Sequence, residues 1–216
     1  MRDIFIVCNN FEELGGLQRW VHHVARLFAA RGHRVRVIGV THADEPHDYG
    51  RDLPYDLTVL HDSPLPPFRR KGWLRGLRRG SVQRRGAATL SRMFRDARPG
   101  GVIIAAQVWA MEWVALADTA GMPVIGMSHE SYQATKTSSR YARVKRYFAD
   151  ANRFLVLSTE DADSWARDHM SNADFMPNPL HVTPTAYPDL SQPVVELLGR
   201  LSFEKGQDMM LEAWVR

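Results

Sequence analysis

Short apolar runs alternate with longer amphipathic stretches along most of the chain. The run Asp3–Cys8 is almost continuously apolar, as expected of a strand that is buried on both faces. After a polar turn, apolar residues recur at three- and four-residue spacing from Leu17 to Phe28, which predicts a helix that ends at Gly32. Residues 34–40 form the next predicted strand. This order of strand, helix and strand forces parallel pairing with a right-handed crossover.

The same alternation continues to His169. It predicts strands at residues 57–60, 101–106, 123–127 and 153–157, and helices at residues 87–97, 110–119, 139–149 and 159–169. Ser158 and Asp161 have the spacing of a capping box at the start of the last helix. The predicted fold class is therefore α/β, with a doubly wound, mostly parallel, Rossmann-like sheet and helices on both faces.

Two proline-rich segments interrupt this alternation. Residues 42–86 contain five prolines and are predicted to form long loops around one strand. The second segment predicts an interdomain linker, so that residues 1–180 form one domain, 181–192 the linker and 193–216 the start of a second domain. A strand at 194–198 and a helix from about Gln207 are predicted there. The apolar side of that helix needs a partner surface, so we expect the domain to continue beyond the chain.

Composition indicates a folded protein of a reducing compartment. The 216 residues, 44% of them hydrophobic, can bury one sizeable core. Cys8 is the only cysteine, so an intrachain disulfide is excluded, and its apolar surroundings predict a buried thiol. The N-terminus lacks the features of a signal peptide, and charged residues interrupt the longest apolar stretch. We therefore expect a cytoplasmic protein without a membrane-spanning helix.

The positive charge of the chain is concentrated in one segment. Eight basic residues and no acidic one lie between Arg69 and Arg85, while the whole chain carries a net charge of only +4. Two compatible interpretations remain open, a solvated loop or a peripheral contact with an anionic membrane surface. Nucleic acid is not expected as a partner because no recognised binding module surrounds the segment. The residues predicted to contact the membrane are Arg69, Arg70, Lys71, Trp73, Arg75, Arg78 and Arg79.

Two segments have the chemistry of phosphate binding. Gly15 and Gly16 precede the first helix, where free backbone amides and the positive end of the helix dipole attract anions. The alternative is a tight turn that needs positive φ angles. The dinucleotide fingerprint GxGxxG is absent, which argues against a dehydrogenase. Arg200 and Lys205 flank a predicted strand-to-helix loop and suit a pyrophosphate, unless they are solvated surface charges.

Three separated motifs resemble one enzyme family. They are the glycine pair followed by RGHRV, the strand and serine turn that lead to MPNP, and GR followed by EKG. In this order they resemble the group 1 (family 4) retaining glycosyltransferases, whose GT-B architecture has two facing Rossmann-like domains. The resemblance covers nearly the whole chain, which would be the N-terminal domain and the start of the C-terminal domain.

The resemblance implies transfer of a sugar from a nucleoside diphosphate sugar, with retention of configuration. The acceptor, a sugar, a small molecule or a lipid-linked or cell-envelope molecule, would be held mainly by this domain. Arg200 and Lys205 would hold the leaving diphosphate, and Gly16 would offer its backbone N–H to the same group. The paired glutamates of the family would lie beyond Arg216, so we expect this chain alone to be inactive.

Ser128-His129-Glu130 follows a predicted strand, at the sheet edge where α/β proteins bind ligands. The resemblance implies that His129 touches the transferred sugar near its reacting carbon, as the catalytic residue of this half. The alternative is a hydrogen-bonded structural histidine. Lys136 is a candidate for binding an anionic acceptor, although a solvated lysine fits the sequence equally well.

No cofactor and no metal are expected, because the nine histidines show no metal-ligand spacing and the family works without a metal. Two alternative functions remain open. One is a sugar-nucleotide 2-epimerase of the same fold, which would act on the donor without an acceptor. The other is a non-catalytic membrane-binding module.

Overall fold

The computed structural model describes residues 1–62, 73–180, 185–186, 189, 191, 193–199, 201 and 203–215, without the side chains of residues 73–79 and 204. The chain divides into two compact units, Met1–Pro179 and Leu180–Arg216. The second unit contains a 3₁₀ turn, Phe203–Lys205, which is followed by a helix, Gln207–Trp214. The predicted linker and second domain stay predictions.

The first unit is built around a parallel sheet. Its strands are β1 (Asp3–Cys8), β2 (Arg34–Thr41), β3 (Asp56–His61), β4 (Val102–Ala105), β5 (Val124–Met127), β6 (Arg153–Val156) and β7 (Ala173–Phe175). They pair in the order β3-β2-β1-β4-β5-β6-β7, and each neighbouring pair is parallel. The helices are α1 (Gly16–Ala30), α2 (Trp73–Arg95), α3 (Val108–Val114), α4 (Tyr132–Lys136), α5 (Tyr141–Tyr147), α6 (Thr159–Arg167) and, in the second unit, α7 (Gln207–Trp214).

Alternating residues of β1 face two separate hydrophobic cores. Ile4 and Ile6 pack with Trp20 and Val21 of α1, whereas Phe5 and Val7 pack in the core to which α2, α3, α5 and α6 contribute. Every residue of β1 is buried because helices cover both faces of the sheet. The predicted doubly wound α/β fold is confirmed.

The predicted end of α1 is confirmed in atomic detail. Gly32 has a φ of 79°, its N–H donates to the carbonyl of Ala29, and the N–H of His33 donates to the carbonyl of Phe28. These two bonds form a Schellman motif. The predicted cap of α6 is also present, because the hydroxyl of Ser158 accepts from the N–H of Asp161.

Several predicted boundaries are wrong. The helix predicted at residues 87–97 begins at Trp73, since a run rich in arginine forms a helix without apolar periodicity. The helix predicted at 110–119 ends at Val114. The five-residue α4 and three-residue β7 are too short to produce a periodic pattern. The strand predicted at 194–198 is absent, and no other strand lies among the described residues of the second unit to pair with it.

Cys8 has the buried position that the sequence predicts. Its side chain is fully buried, its Sγ lies 3.7 Å from the carbonyl oxygen of Ile38, and burial raises the pKa of the thiol. A thiol in this state is protonated at neutral pH, so Cys8 is a core residue and not a nucleophile.

Candidate functional site

The order of strands reverses between β1 and β4. The chain passes from β1 to β2 on one side and later returns to place β4 on the other side of β1. In open parallel sheets the carboxyl ends of such a strand pair border a ligand-binding crevice. A cleft of about 370 Å³ lies at this edge. Its walls include Asn9, Leu17, Ala106, Gln107, Trp109, Ser128, His129, Glu130, Thr135 and Arg140.

Two hydrogen bonds join the ends of β1 and β4 where their residues line the cleft. The side-chain carbonyl of Gln107 accepts from the N–H of Asn9 at 2.9 Å, so the turns that follow β1 and β4 are joined directly. The N–H of Ala106 donates to the carbonyl of Val7 and extends the pairing of the two strands to their ends. Sequence reasoning missed Asn9 and Gln107. Their positions directly after two apolar strands on either side of the strand-order reversal were the available signal.

His129 lies in the wall of the cleft, two residues beyond β5. The N–H of the preceding Ser128 donates to the carbonyl of Leu155 and so continues the pairing of β5 with β6. The imidazole and the indole of Trp20 pack edge to face, with ring centroids 5.0 Å apart. Within the described part of the chain, the buried Nε2 of His129 has no hydrogen-bond partner.

Burial lowers the pKa of His129 to about 4, because a charged imidazolium loses hydration in this position. The ring is therefore neutral at physiological pH. A neutral imidazole can donate one hydrogen bond and accept another, but it offers no positive charge to an anion. The structural alternative, a histidine whose ring is held by internal hydrogen bonds, describes His22 instead, which bonds to Tyr55 and to the carbonyl of Phe11.

Thr135 is a second polar group in the wall that sequence reasoning missed. It lies in α4, whose first turn is capped by the hydroxyl of Ser131 accepting from the N–H of Ala134. Its side chain is 1% exposed, and among the described residues its Oγ1 has no hydrogen-bond partner. No pattern in the sequence marks this threonine, because its burial depends on how α4 packs.

The cations beside the cleft are paired with carboxylates. Arg140 forms an ion pair with Glu130 at 3.2 Å, and the two side chains are 43% and 41% exposed, respectively. Arg143 forms an ion pair with the buried Glu112, and its guanidinium lies over the ring of Trp109 at 4.2 Å. Arg140 and Glu130 both line the cleft, so their opposite charges offset each other in its wall.

The start of α1 adjoins the cleft through Leu17. The alternative of a tight turn with positive φ at the glycine pair is wrong, because Gly15 is extended and neither glycine has a positive φ. A Cβ at Gly16 would meet no atom within 4 Å. The first helical bond runs from Arg19 N–H to Gly15 C=O, which leaves the amides of the first turn for other acceptors. The backbone at Gly16 is thus open to an approaching anion.

The other predicted site residues that the structure describes are not among those that line the cleft. Lys136 is exposed on α4, where its ammonium lies 5.1 Å from the centre of the Tyr132 ring, and it is not among the residues lining the cleft. Lys205 is exposed in the second unit. Arg200, Arg69, Arg70 and Lys71 lie outside the described residues; Trp73, Arg75, Arg78 and Arg79 lie on α2, with backbones alone described. Their predicted roles stay predictions.

Two features are absent from the part of the chain that the structure describes. No helix there is long and apolar enough to cross a membrane. No three His, Cys, Asp or Glu side chains in that part of the chain are grouped as a metal site would require. The absence of a cofactor and of a metal from the reaction remains a prediction.

The fold is shared with solved GT-B glycosyltransferases. The Anabaena protein Alr3699/HepE, solved with UDP and glucose, matches with a TM-score of 0.53 at 14% identity, over 83% of this chain and 45% of its own. A UGT transferase of Siraitia grosvenorii, solved with UDP, matches with a TM-score of 0.51 at 14% identity, over 99% and 55%. TcCGT1, also solved with UDP, matches with a TM-score of 0.52 at 9% identity, over 89% and 54%. The chain spans about half the length of these proteins.

Sequence comparison identifies the family. No curated protein sequence matches the chain significantly. Residues 14–186 match the family model described as Glycosyltransferase Family 4. This match covers most of the chain, and it includes the start of α1 and every residue that lines the cleft except Asn9. The protein belongs to glycosyltransferase family 4.

Proposed function

We propose that this chain supplies the acceptor-side domain of an enzyme that transfers a sugar from a nucleoside diphosphate sugar, with retention of configuration. The acceptor would lie in the cleft at the carboxyl ends of β1, β4 and β5. The observation that carries the proposal is the position of this cleft, at the strand-order reversal and beside the open amides at Gly16. Family membership and the UDP bound to structurally similar glycosyltransferases support it.

The chemistry requires stabilisation of a departing diphosphate. The bond between the anomeric carbon and the diphosphate oxygen breaks, and its electron pair leaves with the diphosphate. The acceptor oxygen forms the new bond, and its proton leaves with the same group. The amides at the start of α1 and the cations Arg200 and Lys205 would stabilise the charge that develops on the diphosphate.

His129 has a separate role in this proposal. As a neutral group with an unpartnered Nε2, it can hydrogen-bond a hydroxyl of the transferred sugar close to the reacting carbon. It would position the sugar and would neither attack it nor neutralise the diphosphate. No protein nucleophile is needed, since the acceptor hydroxyl attacks while both substrates are held face to face.

The test is an assay of the protein as its complete reading frame encodes it. Nucleoside diphosphate release from a panel of nucleotide sugars is measured with and without sugar and lipid-linked acceptors, and the anomeric configuration of the product is determined by NMR. Gly16→Ala is expected to lower kcat/KM by about tenfold or more, because in this proposal the added methyl group hinders the diphosphate that approaches the amides at the start of α1. A Cβ at this position meets no atom of the fold within 4 Å, so the fold itself should tolerate the change. Gly80→Ala is the matched control, since a Cβ at Gly80 also meets no atom and this glycine lies in α2.

Three outcomes would contradict the proposal. Consumption of the donor without an acceptor, with a rearranged free sugar as product, would indicate the 2-epimerase. An inverted product would exclude retention. If no nucleotide sugar is consumed or bound, and if Arg200→Ala and Lys205→Ala change nothing, the transferase assignment fails and a non-catalytic membrane-binding module is favoured.

A further inference from the structure

The hydroxyl of Thr135 is unusual among the hydroxyl groups around α4. Thr137, two residues later, donates from its Oγ1 to the carbonyl of Gln133 at 3.1 Å, and Ser138 donates from its Oγ to the carbonyl of Thr135 at 2.9 Å. The Oγ1 of Thr135 is buried in the wall of the cleft and has no such partner within the described chain. A buried hydroxyl without a hydrogen bond destabilises the fold, so its position beside a cleft points to a bound ligand as its partner.

The charged side chains that line the cleft disfavour an anionic ligand. Arg140, the cation in the wall, already pairs with Glu130, which lines the same cleft. Arg143 beside it is engaged by the buried Glu112. A phosphate or carboxylate entering the cleft would meet the Glu130 carboxylate as well as the Arg140 guanidinium, and repulsion from the first would offset attraction to the second.

The remaining wall groups suit a neutral polyol. The Oγ1 of Thr135 is an uncharged group able to form a hydrogen bond, and the neutral imidazole of His129, which is assigned to the transferred sugar, adds no charge to the same wall. Trp109, over whose ring the Arg143 guanidinium lies, adds a large, mainly apolar side chain to the same wall, and such a side chain packs against apolar C–H groups. A pyranose ring combines hydroxyl groups with an apolar face and therefore matches both kinds of wall.

We propose that Thr135 is a specificity-determining residue whose hydroxyl binds a ring hydroxyl of a neutral pyranoside acceptor, and that the pairing of Glu130 with Arg140 selects against anionic acceptors. The proposal rests on the proposed function, since it names the acceptor class of the same cleft. It makes Lys136, exposed outside the cleft wall, unnecessary for acceptor binding.

The experiment measures binding of simple probes to the 216-residue chain. Methyl α-D-gluco-, manno- and galactopyranoside are titrated at millimolar concentrations and followed by protein-observed NMR, in parallel with the corresponding 6-phosphates. Thr135→Val removes the hydroxyl and keeps the shape of the side chain. It is expected to weaken binding of the preferred neutral pyranoside by about threefold to tenfold, the range of one hydrogen bond between neutral groups.

Two variants make the test specific. Thr137→Val, which removes a hydroxyl already bonded within its own helix, is expected to leave pyranoside binding unchanged. Glu130→Gln is expected to strengthen binding of the 6-phosphate by several-fold, because it frees the Arg140 guanidinium for an anion. Thermal unfolding of each variant shows whether its fold is intact.

The proposal is overturned if no neutral pyranoside binds the wild-type chain, if Thr135→Val binds as the wild type does, or if the wild type prefers the 6-phosphates. Failure of the proposed function has a different signature. It appears as loss of nucleotide-sugar turnover in the complete protein, whereas pyranoside binding and its dependence on Thr135 are measured without a donor. Turnover without pyranoside binding would sink only the acceptor assignment.

Discussion

The indole of Trp20 and the imidazole of His129 meet edge to face, with their ring centroids 5.0 Å apart. Trp20 is 1% exposed and belongs to the core under α1. This contact joins the helix that begins at Gly16 to the turn after β5. The two parts of the candidate site therefore form one packed unit, and the position of His129 is fixed by the same core that orients α1.

The first prediction is that His129 stays neutral well below physiological pH. Burial lowers its pKa to about 4, from an ordinary value of about 6.5. In a histidine-selective NMR titration, its ring signals are expected to stay almost constant between pH 8 and pH 6, where an ordinary histidine titrates. The His129 signals are assigned as those that are absent from the spectrum of His129→Gln. Titration of the His129 ring near pH 6.5 would contradict its burial in the cleft wall.

The same pKa links His129 to stability. Because the folded state binds the proton less readily than the unfolded state, the stabilising contribution is complete above about pH 6.5 and is lost as the pH falls towards 4. Denaturant unfolding of wild type and His129→Gln is expected to differ in slope across this window by up to about 1.4 kcal/mol per pH unit. Equal slopes would show that the imidazole is solvated.

The second prediction concerns Asp3, which is 1% exposed at the start of β1. Burial raises its pKa, but the hydrogen bonds from the Arg34 side chain and the backbone N–H of Arg98 outweigh this effect, so the pKa lies below its ordinary value. Asp3→Asn is expected to lower the free energy of unfolding by about 2 kcal/mol at pH 7, since it removes charge-assisted hydrogen bonds to Arg34. Chemical denaturation measures this loss.

The sign of the pH dependence follows from the lowered pKa. The contribution of Asp3 is complete above about pH 4 and is lost as the pH falls through the folded-state value. Asp56→Asn is the matched control because Asp56, at the exposed start of β3, pairs with Arg36 of β2 at 3.3 Å. An exposed ion pair of this kind contributes about 0–1 kcal/mol. An equal effect of the two substitutions would refute the structural role of Asp3.

The sheet was predictable from sequence because its central strands are buried on both faces. Such strands appear as continuous apolar runs, and Asp3–Cys8 was predicted with its observed bounds. The edge strand β7 pairs only with β6, and two of its three residues are exposed, so it does not appear as an apolar run in the sequence. The start of α2 was missed because helix propensity without an apolar stripe leaves no periodic signal.

The candidate site was predictable only where it follows from topology. His129 stands at the end of a predicted strand, and parallel sheets place ligands at that edge. Glu130 precedes α4 and Arg140 follows it, and the two side chains form an ion pair. Their spacing in the sequence does not indicate this pairing. The unpartnered hydroxyl of Thr135 is likewise a property of packing, since Thr137 has the same chemistry and satisfies it locally.

The third prediction concerns the basic segment and an anionic membrane surface. A chain in which Arg75, Arg78 and Arg79 are replaced by glutamine is expected to sediment less with vesicles that contain phosphatidylglycerol. Each basic residue near such a surface contributes about 1 kcal/mol. The control replaces Arg92 and Arg95, which lie in the last turn of the same helix. If the wild type and both variants sediment equally, or if the wild type binds zwitterionic vesicles as well as anionic ones, the segment is a solvated one without a membrane contact.

The fourth prediction compares the ends of α1 and α6, which have the same hydrogen bonds but different residues at the left-handed position. After α6, His169 has a φ of 65°, its N–H donates to Ala166, and the N–H of Met170 donates to Trp165. After α1, Gly32 occupies the equivalent position with a φ of 79°. A side chain is strained in this region, so His169→Gly is expected to raise the free energy of unfolding by about 1 kcal/mol.

The reverse substitution at the other helix is its control. A Cβ at Gly32 would meet no atom within 4 Å, so any loss of stability in Gly32→His arises from the backbone and not from a clash. It is expected to lower the free energy of unfolding by about 1 kcal/mol, measured by the same denaturant titration. The greater conformational entropy of glycine in the unfolded chain opposes the backbone strain in both substitutions, so it reduces both effects by a similar amount. If His169→Gly lowers the free energy of unfolding by more than the unfolded-state entropy of glycine explains, the prediction is wrong. The His169 side chain would then make stabilising contacts that outweigh the strain of its backbone.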